Sequence, residues 1–259
     1  MPLEPVVTRL EKIFQLTDTV RTFRFRFPEG KWVPFKAGQF CMVHVPTTEK
    51  ILKKPYSICS APFEVGYLDL CVKLVEGGVT TNWFWKLKEG DEVTITIPYG
   101  GFLIKEPIDD DLIFVATGTG ITPLRSMIKT LLREGCERQL TLIFGVRYEN
   151  EILYADEFRQ LEKEHKNFKF IPTISRPKKW EGEVGYVQEK LKKFVTDPQG
   201  KRIYVCGLIP MIEAVQQAAS EIGFDKKMFT LRNMCDMGRH NKEGEPWTFF
   251  NQSFAGFMS

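Results

Sequence analysis

The sequence predicts two domains of different fold class: an N-terminal antiparallel β-barrel, followed by an α/β domain built on a parallel sheet. In the N-terminal half, short stretches alternate apolar with polar residues and end at glycine or proline turns. In the C-terminal half, an apolar strand followed by an amphipathic helix recurs several times. The length of 259 residues exceeds the roughly 100 to 150 residues of a typical domain, which favours two separate cores.

Residues 1–104 are predicted to form the barrel. The stretch TVRTFRFRF alternates Phe23, Phe25 and Phe27 with arginines, which is the period of a half-buried strand. QFCMVHV, YLDLCVKLV and DEVTITI continue this pattern between glycine-containing turns, and VTTNWFWKL is predicted to form one short helix. Many short strands with regular turns indicate a barrel or a sandwich.

Residues 105–111 are predicted to be a polar linker, and residues 112–232 are predicted to be the α/β domain. Its strand and helix pairs are LIFVA with TPLRSMIKTLLREG, LTLIFGV with ADEFRQLEKEH, FKFIPTIS with VGYVQEKLKKF, and RIYVCG with MIEAVQQAASEIG. Such alternation is typical of a parallel sheet with crossover helices. Residues 233–259 are predicted to form a C-terminal extension.

Composition excludes several classes of protein. A net charge of +3 with dispersed lysines gives no reason to expect nucleic acid or an anionic membrane as an obligate partner. No apolar run approaches the roughly 20 residues of a spanning helix, and acids stand near the N-terminus where a signal peptide would be basic. The six cysteines form no C-x-x-C pair and the three histidines lie far apart, so no metal site is predicted. We therefore expect a cytoplasmic protein with reduced thiols.

A glycine turn follows the first strand of the α/β half, where LIFVA runs into Gly118, Thr119 and Gly120. Glycines let backbone amides approach a phosphate, and the N-terminus of the next helix adds partial positive charge. The pattern departs from G-x-G-x-x-G because Pro123 stands at the third glycine, and Thr122 is expected to cap the helix. A tight turn alone would use the same residues, but the flanking strand and helix favour phosphate binding.

The last core strand ends in Cys206 and Gly207. Open α/β sheets bind ligands at the carboxyl ends of their strands, so this thiol is a candidate for contact with a flat ring. Taken alone, the motif slightly favours a buried cysteine that packs like a small apolar residue.

The segments KPYSICS, LCVKL, GGVTTNW, TGTGITPLRS, TISR and YVCG occur in the order and approximate spacing of the ferredoxin–NADP reductase family of flavoproteins. The chain resembles this family over about residues 5–232. The resemblance implies that the barrel holds FAD and that the α/β domain holds NAD(P)H. It also implies hydride exchange between nicotinamide and flavin N5, and transfer of single electrons to ferredoxin or flavodoxin.

In KPYSICS the resemblance assigns cofactor contacts to Lys54, Tyr56 and Ser57. The family motif is Arg-x-Tyr-Ser/Thr, so Lys54 replaces an arginine and implies a looser hold on the FAD pyrophosphate. Tyr56 would stack on the isoalloxazine and Ser57 would hydrogen-bond near N5. These two residues, with Cys206, are the candidate catalytic residues.

Two more segments imply FAD contacts. LCVKL places Cys71, Val72 and Lys73 on a strand that lines the flavin. GGVTT resembles the pyrophosphate turn of the family, and the residues implied at that helix N-terminus are Gly78, Val79, Thr80 and Thr81. The hydroxyls of this turn would serve equally well as helix caps.

In the α/β domain the resemblance places Gly118, Thr119 and Gly120 beside the nicotinamide and pyrophosphate of the nucleotide. It places Cys206, followed by Gly207, at the nicotinamide ring. These residues complete the implied site for hydride transfer.

The choice of nucleotide depends on Arg147, Ser175 and Arg176, which follow consecutive strands. NADPH-dependent members of the family hold the adenosine 2′-phosphate there, and an arginine fork suits a doubly charged phosphate. NADH-dependent relatives often carry an acid at such a site, and none stands at the matching positions. NADPH is therefore favoured over NADH, although the same arginines would also suit an ordinary surface.

The extension 233–259 is rich in aromatic residues and is predicted to pack near the FAD, or else as ordinary interdomain packing. Asp236 within it is a candidate for assisting proton movement at the flavin.

The resulting interpretation is a monomeric or weakly dimeric FAD enzyme that links NADP(H) to ferredoxin or flavodoxin. Basic residues near the barrel mouth would steer these acidic carriers. The alternatives are an NADH-dependent reductase component of an oxygenase, an electron-transfer subunit of a larger complex, and a non-catalytic protein that kept the fold.

Overall fold

The N-terminal sheet is antiparallel and curls until its two ends meet. The computed structural model of the protein describes residues 3–233. The elements of the first part are β1 (Pro5–Thr17), β2 (Val20–Arg26), β3 (Phe40–Pro46), β4 (Ile51–Ser57), β5 (Tyr67–Lys73), α1 (Val79–Lys86) and β6 (Glu92–Tyr99). The strand order is β4-β3-β6-β1-β2-β5, and a bridge between Ile58 and Leu70 joins its two ends. This closure confirms the predicted barrel.

The alternation predicted for β2 is present in the barrel core. Phe23 and Phe25 are completely buried, whereas Arg24 on the opposite face forms an ion pair with Asp69 of β5. Phe23 packs against Phe84 of α1, and their ring centroids are 5.1 Å apart. The short helix predicted from the sequence is therefore α1, and it is packed into the barrel core.

The second sheet is parallel and alternates with helices. Its elements are β7 (Asp111–Thr117), α2 (Ile121–Arg133), β8 (Leu140–Val146), α3 (Ala155–Glu164), β9 (Phe168–Ile174), β10 (Glu183–Val184), α4 (Val187–Phe194), β11 (Lys201–Gly207), α5 (Ile209–Ile222) and β12 (Phe229–Asn233). All neighbouring strands of this sheet run parallel. The predicted α/β domain is confirmed.

The strand order β10-β9-β8-β7-β11-β12 defines where a ligand can enter this sheet. The chain starts at β7 in the middle, adds β8, β9 and β10 on one side, and then returns to add β11 and β12 on the other. The connections after β7 and β11 thus leave in opposite directions. Open α/β sheets bind ligands at this kind of switch point, in the crevice at the carboxyl ends of the strands.

The barrel packs against the α2 side of the parallel sheet. One core cluster contains Val20, Cys59 and Cys71 of the barrel together with Leu124 and Met127 of α2. A separate cluster on the other face of the sheet gathers the apolar sides of α4 and α5. The two domains therefore share a buried interface next to the carboxyl edge of β7.

One local prediction about α2 is wrong. The helix begins at Ile121 with Gly120 as its N-cap, so Thr122 lies inside the first turn and does not cap it. Its hydroxyl instead donates a hydrogen bond of 2.9 Å to the carbonyl oxygen of Thr119. The glycine turn adopts a 3₁₀ turn that leads directly into the helix, which moves the helix start upstream of the threonine.

The predicted domain boundaries and the predicted role of the C-terminal extension stay predictions. The domain boundaries at residues 104 and 112 stay predicted, and the extension after residue 233, with Asp236, lies outside the described residues. Within residues 3–233, none of the helices is long and apolar enough to cross a membrane. The same part of the chain holds no cluster of three His, Cys, Asp or Glu side chains suited to a metal ion.

Candidate functional site

A cavity of about 640 Å³ lies at the switch point of the parallel sheet. Its walls include residues 117–120 at the end of β7, residues 145–147 at the end of β8, and Gly207 with Leu208 at the end of β11. The barrel closes it from the other side with Thr17, Thr19, Val20 and Lys73. The cavity thus connects the predicted nucleotide turn with the end of the predicted flavin strand.

The floor of the cavity needs residues without side chains. A Cβ atom on Gly120 would overlap the backbone carbonyl of Cys206, and Gly118 has a φ of 52°, in the left-handed region. A Cβ on Gly207 would collide with Met211 and lie 2.9 Å from the hydroxyl oxygen of Thr117. The two predicted motifs therefore lie in close contact, because Gly120 lets the turn after β7 approach the backbone at the end of β11.

Cys206 lies beneath this floor and is completely buried. Burial raises the pKa of its thiol to about 12, so the sulfur is protonated at neutral pH. The residue offers a small polarizable group here, rather than a base or a nucleophile. Its predicted contact with a nicotinamide ring stays a prediction.

In one part of the cavity, polar and charged residues that follow β8 and β9 come together. Arg147 and Ser175 both line it, while Arg176 is exposed next to it and its backbone amide donates to the Arg147 carbonyl at 2.9 Å. The loops that carry the predicted arginines are therefore hydrogen-bonded neighbours, as their place on consecutive strands suggested.

Glu151 lines the same part of the cavity and was missed from the sequence. Its carboxylate accepts hydrogen bonds from the backbone amides of Arg147 and Tyr148 at 3.1 and 3.3 Å. The short acidic run after β8 was the available signal, but it did not match the family position for an acid. An acidic and a basic side chain thus both line this part of the cavity.

The barrel residues of the KPYS segment lie on β4 and do not line this cavity. Because successive strand side chains alternate, Lys54 and Tyr56 share one face while Ser57 lies on the other. Tyr56 packs edge-on against Phe84 of α1, with centroids 4.9 Å apart, and burial raises the pKa of its phenol. Ser57 is 4% exposed. Tyr56 is therefore fixed close to α1.

The turn before α1 resembles a cradle for an anion. Gly78 is the N-cap, and a Cβ there would lie 2.7 Å from the hydroxyl oxygen of Thr81. That hydroxyl accepts a hydrogen bond of 3.1 Å from the amide of Val75, which folds the turn back on itself. The first amides of a helix have no intrahelical partner, and Val79 beside them is 63% exposed. Thr81 thus shapes the turn, and the amides of residues 79–81 are the groups suited to phosphate.

Strand β5 links the two regions. Cys71 and Val72 are buried at the domain interface and in the barrel core, and Lys73 at the strand end lines the cavity. Of the predicted cofactor residues, the cavity gathers Lys73, the glycine turn, Arg147, Ser175 and Gly207. The residues of β4 and of the α1 turn form a second group on the barrel.

Comparison with known families supports both halves of this description. The family described as Oxidoreductase FAD-binding domain matches residues 7–104, and the family described as Oxidoreductase NAD-binding domain matches residues 114–217.

Individual relatives extend the match across the chain. Ferredoxin–NADP reductase B of Sorangium cellulosum is 34% identical over 232 residues, which cover 86% of this chain and 95% of that protein. Phenol hydroxylase P5 protein of Acinetobacter pittii is 33% identical over 78% of this chain, and the match spans 58% of that longer protein. The crystal structure of a ferredoxin NADP+ reductase from Neisseria gonorrhoeae, with bound FAD and NADP, has a TM-score of 0.80. It shares 22% identity and is covered over 99% of its length, which shows the same fold.

Proposed function

Because the chain belongs to the ferredoxin–NADP reductase family of FAD- and NAD(P)-binding oxidoreductases, we propose that it passes electrons between NADP(H) and a one-electron carrier, ferredoxin or flavodoxin. One observation carries this proposal. The cavity at the switch point of the nucleotide domain is closed by barrel residues, so a nicotinamide bound there would face the flavin strand.

The barrel residues fit FAD. The amides of residues 79–81 at the N-terminus of α1 suit a pyrophosphate, and Lys54 on β4 adds a cation. Tyr56 offers a ring held against α1, and the Ser57 hydroxyl is the group proposed to hydrogen-bond the flavin edge. When bound, FAD supplies both hydride chemistry and one-electron chemistry. The protein's part is to orient the two rings and to exclude water.

The nucleotide domain supports NADP(H) through Arg147, Ser175 and Arg176. Two exposed arginine side chains and a hydroxyl lie on hydrogen-bonded loops after β8 and β9, at the cavity. A doubly charged 2′-phosphate would accept hydrogen bonds from both arginines. In this proposal Cys206 and Gly207 lie under the nicotinamide.

A second candidate function follows from Glu151. A carboxylate in this part of the cavity would accept a hydrogen bond from a ribose 2′-hydroxyl and would repel a 2′-phosphate. NADH would then be the donor, as in the proposed alternative of a reductase component for an oxygenase. The 33% identity with phenol hydroxylase P5 protein supports this alternative for the shared part of the chain.

Nucleotide preference tests both candidates. The protein is purified, its flavin spectrum is recorded, and kcat/KM is measured for NADPH and NADH with an artificial acceptor. We expect NADPH to be preferred by about tenfold or more, equivalent to about 1.4 kcal/mol. A tenfold preference for NADH would overturn the assignment of Arg147 and Arg176. Protein without flavin and without NAD(P)H oxidation would favour the non-catalytic alternative.

Two substitutions at the cavity sharpen this test. Arg147→Ala should lower kcat/KM for NADPH while leaving that for NADH nearly unchanged, because only NADPH carries the 2′-phosphate. Glu151→Gln should raise kcat/KM for NADPH relative to NADH, because it removes the repelling charge. Arg159→Ala, at an exposed arginine of α3, is the matched control and should alter neither value.

A further inference from the structure

Helix α2 connects the two groups of cofactor residues. It begins immediately after the glycine turn and presents Arg125 toward the barrel one turn later. Arg125 is 8% exposed, although it is an arginine. A buried guanidinium is stable only with hydrogen-bond partners for its charge, so the partners of Arg125 show which segments it joins.

The guanidinium of Arg125 bridges the two domains. Its Nη1 donates to the backbone carbonyl of Cys59 at 2.5 Å. Its Nε and Nη2 donate to the two carboxylate oxygens of Glu157 on α3, at 2.8 and 2.9 Å. Cys59 lies two residues beyond Ser57, so the arginine reaches the segment that carries the proposed flavin contacts.

The face of the Arg125 guanidinium is also held, by the ring of Tyr154. The Arg125 guanidinium carbon lies 4.5 Å from the ring centroid of Tyr154. The Tyr154 hydroxyl makes a hydrogen bond of 2.8 Å with Thr22 of β2 and lies 3.6 Å from the Cys59 sulfur. The guanidinium is therefore fixed on its edge and on its face.

The backbone that receives this hydrogen bond is itself rigid. The amide of Cys59 donates to the carbonyl of Asp69 at 2.9 Å, which is part of the closure between the ends of the barrel. Arg24 holds the Asp69 carboxylate through two hydrogen bonds, and the backbone amide of Asp69 donates a hydrogen bond to the Ser60 hydroxyl oxygen. A shift of α2 relative to the barrel would therefore break the Arg125 contact, because the loop cannot follow.

We propose that Arg125 is a positioning residue that sets the distance between the nucleotide turn and the flavin-contacting segment. This inference rests on the proposed function. Hydride transfer requires the reacting atoms to be held roughly 3 to 3.5 Å apart, and a displacement of about 1 Å costs up to a hundredfold in rate. A bidentate, planar side chain defines such a distance better than a flexible cation does.

The test measures hydride transfer in FAD-loaded protein. Arg125→Lys retains the charge but loses the planar group whose three nitrogens each donate to a separate acceptor oxygen. By anaerobic stopped flow, flavin reduction by NADPH should slow by roughly 10- to 100-fold, with the nucleotide Kd changed by less than about threefold. The absorbance band of the nicotinamide–flavin complex should weaken in parallel.

Lys129→Met is the matched control on the same helix. Lys129 forms a second ion pair between α2 and the barrel, 2.8 Å from Glu64. Its ammonium also lies 3.4 Å from Glu157, but Lys129→Met leaves both Arg125–Glu157 hydrogen bonds in place. Its loss should lower the melting temperature while leaving flavin reduction within about twofold of the wild-type rate. The comparison separates positioning from general stabilisation of the interface.

The outcomes distinguish the two proposals. A wild-type protein whose flavin is reduced by neither nucleotide would contradict the proposed function. A wild-type protein that is reduced, with Arg125→Lys reduced equally fast, would overturn the role of Arg125. If Arg125→Lys loses FAD, Glu157→Gln is measured instead, because it leaves the guanidinium but weakens its anchor. A wild-type rate in that variant would also overturn the inference.

Discussion

Lys54 changes the proposed FAD site because it replaces an arginine of the family motif. The family motif has arginine at this position, and this chain presents a single ammonium group on the same face of β4 as Tyr56. An ammonium group acts as a point charge, whereas a guanidinium donates a planar pair of hydrogen bonds to phosphate. The cation proposed to bind the FAD pyrophosphate thus makes fewer hydrogen bonds here than the arginine of the family motif would. The N-terminus of α1 remains available to bind the same phosphates.

Substitution of Lys54 should change FAD affinity in both directions. Lys54→Ala should weaken FAD binding by roughly tenfold, and Lys54→Arg should tighten it by about threefold. Flavin fluorescence on dilution measures both dissociation constants. Lys53→Ala is the control. Lys53 is exposed on the other face of β4, so its loss should leave the Kd for FAD unchanged. An unchanged Kd in Lys54→Ala would contradict the assignment, and an unchanged Kd in Lys54→Arg would show that other groups already compensate.

At the scale of elements, a close backbone contact of the site lies between the turn after β7 and the end of β11. It depends on backbone atoms, since Gly120 faces the carbonyl of Cys206 with no room for a methyl group. The same contact brings the N-terminus of α2 next to the cavity. The geometry of the site therefore follows from the packing of two strands and one helix.

Gly120→Ala should disrupt this contact. Because the obstructing atoms are backbone, the turn must move away from β11, and we expect a loss of about 2 kcal/mol or more in the free energy of unfolding. Weaker NADPH binding should accompany it, measured by spectral titration. Gly135→Ala, where a methyl group meets nothing within 4 Å, tests backbone strain alone at a φ of 75° and should cost about 1 kcal/mol. Equal effects of the two substitutions on NADPH binding would contradict this account.

At the scale of the whole molecule, the two domains bury thiols at several places. Burial raises the pKa of Cys41 and of Cys206 to about 12, and that of Cys71 to about 11. In the unfolded chain these thiols would ionise near pH 8.5. Above that pH the unfolded state loses protons that the folded state keeps, so stability must fall as pH rises.

The free energy of unfolding should therefore decline between pH 8.5 and 10. Each buried thiol contributes up to about 1.4 kcal/mol per pH unit in this range. Urea unfolding of the FAD-loaded protein under reducing conditions measures the slope. Cys41→Ala should give a shallower slope than the wild type, since one of the titrating thiols is gone. An identical slope in the variant would contradict the contribution of Cys41.

We expect the proposed acidic carrier to dock on basic residues of this protein near the barrel mouth. Reduction of ferredoxin or flavodoxin should slow by roughly tenfold between low salt and about 0.5 M salt, because exposed charges are screened beyond a Debye length. Reduction of an uncharged artificial acceptor under the same conditions is the control and should stay nearly constant. A carrier rate independent of ionic strength would argue against electrostatic docking.

Much of the fold was predictable because its signals are local. The alternation around Phe23 predicted β2, and glycine turns between apolar runs predicted the order of strands and helices. Other elements were less visible: β1 runs for 13 residues without strict alternation, and β12 is a short strand after a helix. Periodicity identifies a strand only when one face is buried along its length, which is not the case for β1.

The sequence by itself determined the two fold classes, because periodicity is a property of short segments, and the resemblance of its motifs to a flavoprotein family supplied the proposed flavin and nucleotide residues. Only the tertiary structure decided which distant segments meet. It brought Glu151 to the part of the cavity near Arg147, buried Cys206 beneath the glycine turn, and connected Arg125 to the carbonyl of Cys59. These contacts depend on how the barrel packs against α2 and on how β7 and β11 pair, and that long-range packing has no period or spacing in the chain.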